Sequence, residues 1–109
     1  GDAWLADHPP RWEITQEGRP FEMDRNHPFV EILRSAAADA LEREVPVVGS
    51  PAGNDARLLR NIGGMPTAIL GPGPLENCHM PDEWLPVEEY LGCILAYATL
   101  ILEWGGRTE

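Results

Sequence analysis

The spacing of apolar residues changes near residue 26, and the elements follow from that change. Between Trp4 and Met23, Trp12 and Ile14 alternate around Glu13, Pro9 and Pro10 exclude helix, and Glu17-Gly18 supplies a turn, which predicts one or two strands. His27-Pro28 ends that region. Phe29, Ile32, Leu33, Ala36, Ala37, Ala40 and Leu41 then recur at helical spacing, predicting a helix to about Arg43 with Asn26 as its cap. The short apolar run Pro46-Val47-Val48, stopped by Gly49, suits a buried strand. Asn54 or Asp55 caps a helix through Arg60 and Asn61, closed by Gly63-Gly64, and Met65 to Leu70 reads as a second strand. A last helix begins after Pro86, with Glu88 and Glu89 at its positive end, a broad apolar face from Val87 to Leu102, and Gly105-Gly106 as its stop.

The order after Asn26 is helix, strand, helix, strand, helix. That is an α/β pattern, a parallel sheet covered by helices and joined by right-handed crossovers. Two parallel strands cannot close a sheet. Strands of this kind are buried on both faces, so two alone leave apolar faces and unpaired edges and predict self-association or dependence on a partner. Asp24 to Pro28 is the hinge or domain boundary.

Composition narrows the partners. The 109 residues, 43% hydrophobic, suffice for the core of one domain. A formal net charge of -10 repels nucleic acid and anionic lipid surfaces, so neither is a partner. All basic residues are arginine, which removes lysine Schiff-base and P-loop chemistry and leaves guanidinium forks suited to carboxylates. Two cysteines, Cys78 in a loop and Cys93 in a helix, make no disulfide framework and point to the cytoplasm. The apolar stretch Leu91 to Leu102 is shorter than the roughly 20 residues of a membrane span. It reads as a buried helix. No secretory signal opens the sequence at Gly1.

Chemistry concentrates in Gly71 to Trp84, a loop punctuated by glycine and proline between an apolar run and the last helix. Such loops hold ligands in open α/β sheets. Its His79 is a candidate metal ligand, against the reading of a loop imidazole bonded to backbone. His8 and His27 each precede proline and offer no paired metal spacing, so they read as solvated or packing residues. Asp82 and Glu83 are either carboxylates supporting the His79 ring or the first anions of a helix, the latter favoured for Asp82. Cys78 reads as a small buried thiol rather than a ligand. Asp55, Arg57 and Arg60 open a short helix where an arginine can grip a carboxylate, or form a structural Asp-Arg pair. The scattered tryptophans Trp4, Trp12, Trp84 and Trp104 read as core or interface anchors, and no serine sits in a nucleophile elbow.

Three runs, Gly53 to Arg60, Gly64 to Gly73 and His79 to Trp84, resemble in order and spacing the zinc-dependent aminoacylase, acetylornithine deacetylase, succinyl-diaminopimelate desuccinylase and glutamate carboxypeptidase family. The similarity extends from about Trp12 to Trp104. It implies that residues 1–26 end a lid or dimerisation domain and its hinge, and that 27–109 close a helix-covered parallel-sheet catalytic domain. It also implies that His79 is a metal ligand, that Asn54, Asp55, Arg57, Gly71 and Gly73 adjoin substrate, and that Glu83 supports the ligand. The implied cofactor is a pair of zinc ions, with cobalt or manganese as alternatives, and the implied partner is an N-acyl amino acid or small amide. A homo-oligomer, or attachment to the rest of a parent chain, goes with it. The family's His-x-Asp segment, bridging aspartate, Glu-Glu pair and later acidic ligand have no counterpart here, so these residues alone are expected to be inactive. The competing reading is a non-catalytic α/β binding or assembly module that pairs through its N-terminal strands.

Overall fold

A computed structural model describes residues 1–106. Its organising feature is one antiparallel helix pair. Helix α1 spans Ala3–Asp7, α2 Pro28–Leu41, α3 Ala56–Asn61 and α4 Val87–Gly105, with a single 3-10 turn at Leu75–Asn77. Among the described residues, α2 and α4 are the only elements packed against each other.

Helix α2 starts where Pro28 supplies a preset φ at the first helical position. Its cap is His27, not Asn26: the His27 Nδ1 accepts the Phe29 amide at 3.1 Å, a bond that requires that nitrogen to be unprotonated. The helix stops at Glu42, whose left-handed φ of 50° turns the chain while its amide donates to the Ala38 carbonyl.

Small residues let the two helices approach. Ala36 and Ala37 of α2 and Gly92, Cys93 and Ala96 of α4 are buried, with Val30, Ile32 and Leu33 beside them. A Cβ on Gly92 would lie 2.5 Å from Leu41 Cδ2 and 3.2 Å from the Ala40 carbonyl oxygen, so a side chain there would force Leu41 to move. One end of the seam is closed by Phe29 set edge-on to Trp104 at 5.3 Å, and the other by Arg43 paired with Glu89 at 3.0 Å. The expectation of a buried last helix holds for one stripe only. Leu91, Ile94, Leu95, Ile101 and Leu102 are exposed, Leu102 at 75%, because α2 covers a single side of α4. No helix among the described residues is long and apolar enough to cross a membrane.

The N-terminal region also differs from expectation. Trp4 lies in helix α1, not in a strand, because Asp2 Oδ1 caps it by accepting the Trp4 and Leu5 amides at 2.9 and 3.3 Å. His8 stacks on Trp4 at 4.6 Å, and Pro9-Pro10 ends the turn. Residues 11–23, 46–48 and 65–70 carry no strand ladder among the described residues, and Val48 and Ile69 are exposed. The N-terminal segment is instead tied to α3, where Arg60 Nε donates to the Glu22 carbonyl and Asn61 Nδ2 to the Pro20 carbonyl.

Candidate functional site

The loop from Gly71 to Trp84 is shaped mainly by its own backbone and by α4. Entering it, the Tyr97 hydroxyl donates to the Leu70 carbonyl. Gly73 then turns at φ +83°, and its amide donates to Glu89 Oε2 at 2.9 Å. A Cβ there would sit 3.0 Å from Leu85 Cβ, so conformation and space both select glycine.

Beyond the 3-10 turn, His79 has φ 64° and Asp82 φ 58°, two left-handed residues without glycine's freedom. Such conformations each cost about 1–3 kcal/mol and persist only when their surroundings fix them. One restraint is Glu83, whose Oε2 accepts the His79 amide at 3.3 Å, and another is Asn77 Nδ2, which donates to the Trp84 carbonyl at 3.2 Å. Glu83 thus supports His79 through its backbone rather than its ring. The imidazole is exposed and makes no hydrogen bond within the described residues, contrary to the backbone-bonded reading. Two other expectations are corrected. Asp82 is not the opening anion of a helix, since α4 begins at Val87, and Cys78 is exposed rather than buried, because the turn carries it outward.

Two of the remaining predicted residues, Asn54 and Arg57, line separate grooves, and Asp55, Gly71 and Gly73 line neither. Asn54 lines one of about 500 Å³ together with Phe29, Leu33, Ile69, Leu70 and Tyr97. Its Oδ1 accepts the Ala56 amide at 3.0 Å, so Asn54 carries the cap of α3 while Asp55, at the formal cap position, makes no side-chain cap bond. Arg57 lines a separate groove of about 230 Å³ with Glu17, Arg19 and Asn61 and makes no ion pair among the described residues, so the structural Asp-Arg pair does not form. His79 lines neither groove.

Three residues at this site were not anticipated as such: Arg43, Glu89 and Tyr97. The available signal was the stripe of Glu89, Cys93 and Tyr97 at four-residue steps along α4, but the charge of Glu89 was accounted for by the helix dipole alone. Burial pushes the Cys93 thiol up from its ordinary value; the Glu89 charge adds to this and Arg43 opposes it. Burial, then Cys93, likewise raises the Tyr97 phenol, which keeps it a hydrogen-bond donor. A reactive thiolate at Cys93 is therefore disfavoured.

Among the described residues no group of three or more His, Cys, Asp or Glu could hold a metal ion. The chain offers one donor with a free ring, which fits a share in a metal site but not a whole one. Residues 8–103 match peptidase family M20/M25/M40. An N-formyl-4-amino-5-aminomethyl-2-methylpyrimidine deformylase of Bacillus subtilis is 30% identical over 99% of this chain and 27% of its own length. A protein of the same name from Halalkalibacterium halodurans is 29% identical over 94% of this chain and 26% of its own. The chain spans about a quarter of the length of these curated relatives. No solved structure matches the chain.

Proposed function

The chain belongs to peptidase family M20/M25/M40, and from that premise we propose that it closes the catalytic domain of a metal-dependent amide hydrolase, contributing His79 as one metal ligand. The observation that carries this reading is the His79 turn. A strained backbone is held by Glu83 while the ring is left without a protein partner, so its nitrogens are available to a metal. In this reading the Pro46–Val48 and Met65–Leu70 runs join a parallel sheet whose other strands lie outside these 109 residues. The exposed apolar residues on those runs and on α4 support it.

Metals bound at the completed site, zinc or else cobalt or manganese, would polarise the scissile carbonyl and activate water. The chain's own residues orient the substrate. Arg57 is free to grip a carboxylate bidentately, as an N-acyl amino acid would present. Asn54, in its separate groove here, would complete the pocket of the whole protein together with Asp55 and the Gly71 to Gly73 main chain. The deformylase names of the relatives extend the substrate class to N-formyl groups on small amines. Residues 1–26 belong to a lid through which the protein forms a homo-oligomer, and the setting is cytoplasmic.

The test is to express these residues joined to the upstream polypeptide and assay N-formyl and N-acetyl amino acids with zinc. Hydrolysis by the joined protein and none by the 109 residues alone is expected. A joined, zinc-loaded protein inert toward every N-acyl substrate would contradict the reading.

A further inference from the structure

One helix grips the Gly71 to Gly73 loop at both ends. Tyr97 holds the Leu70 carbonyl just before the loop, and Glu89, eight residues earlier on α4 and so about 12 Å away along its axis, holds the Gly73 amide. The second oxygen of Glu89 accepts from Arg43 Nη2 at 3.0 Å. The carboxylate is thereby braced by the residue that follows the C-cap of α2. Pro72 and Pro74 carry no amide hydrogen, so Gly71 and Gly73 supply the only main-chain donors from 71 to 74. Glu89 takes one of them. The Gly71 amide and the Gly71 and Gly73 carbonyls make no hydrogen bonds among the described residues. Compensating the helix dipole explains an acid in the first turn of α4, but it does not explain a bond to an amide sixteen residues earlier.

We propose that Glu89 is a positioning residue for the substrate-lining loop, its carboxylate braced by Arg43 and setting the Gly71 to Gly73 main chain while Tyr97 fixes the opposite end. This rests on the reading that the loop lines a substrate pocket. Small displacements of groups that contact substrate carry large kinetic effects, so a residue that touches no substrate controls binding through the loop.

The experiment has two arms. In the 109-residue chain, hydrogen exchange at the Gly73 amide is compared for wild type, Glu89→Ala, Glu89→Gln and the surface control Arg34→Ala. Glu89→Ala is expected to speed exchange at least about tenfold, Glu89→Gln, which keeps an acceptor without the charge, by a few-fold, and Arg34→Ala not at all. If Glu89→Ala lowers helix content by far-UV circular dichroism, Glu89→Gln at unchanged helix content decides. In the joined protein, Glu89→Ala is expected to raise KM about tenfold with kcat and zinc content little changed, and Glu89→Gln to restore part of the loss. Unchanged Gly73 exchange in both Glu89 variants overturns the clamp itself. An intact clamp in a joined protein whose Glu89→Ala kinetics equal those of Arg34→Ala, or which hydrolyses no amide at all, overturns instead its role in substrate binding.

Discussion

The two sides of α4 follow opposite rules. Its inner stripe, Gly92, Cys93 and Ala96, is made of small residues closed against α2, whereas its outer face carries Leu91, Leu95, Ile101 and Leu102 in the open. The inner side is specified by contacts this chain supplies. The outer side has the composition of a core without its neighbours, and burying such side chains stabilises by about 1.5–3 kcal/mol each. On the proposed reading further polypeptide covers the outer side, and the His79 loop belongs with that side: its backbone is fixed, its ring unengaged.

The seam is the most sensitive part of the helix pair. Ala96 is fully buried, so Ala96→Leu is expected to cost about 2–3 kcal/mol by overpacking, read as a lower urea midpoint followed by circular dichroism. A variant of wild-type stability would mean the seam is not closed. His27→Ala removes the α2 cap and is expected to cost about 1 kcal/mol in the same measurement.

Titration sharpens the contrast further. Burial raises Cys93 above its ordinary 9.0 and Tyr97 above 10.0, so their protonated forms are favoured more in the folded chain than in the unfolded one. The stability this gives is fully present below pH 9 and is lost as the pH climbs through 9 and 10 toward the raised values. Cys93→Ala is expected to flatten the first part of that loss and Tyr97→Phe the second; a curve unchanged in both would remove burial as the cause. The smallest effect belongs to the outer face. Leu102→Glu is expected to change the stability of the 109 residues by no more than about 0.5 kcal/mol, yet to destabilise the joined protein by several times that amount. Equal effects in the two contexts would place the outer face in solvent for good.

Helical spacing makes α2 and α4 legible, since a period of 3.6 survives without knowledge of neighbours, and cap and stop residues mark α3. The cap of α2 was not legible. Histidine is an unusual cap, and Pro28 marked the start more clearly than the residue type at position 27 did. Helix α1 was hidden because Pro9-Pro10 dominated the reading while Asp2 set the local structure. At the site, His79 could be picked out by its loop and by resemblance, but the left-handed turns at 79 and 82 and the bond from the Gly73 amide to Glu89 depend on backbone geometry that no residue pattern encodes. The apolar runs at 46–48 and 65–70 form no strand ladder among the described residues, since pairing needs partner strands that a local residue pattern does not specify.

We hold that the His79 ring completes a metal site, and zinc content reports on it without recourse to activity. In the joined protein, His79→Ala is expected to lose one of two bound zinc ions while His8→Ala, at another exposed histidine, keeps both. Full zinc occupancy in the purified His79→Ala protein would show that His79 is not a metal ligand.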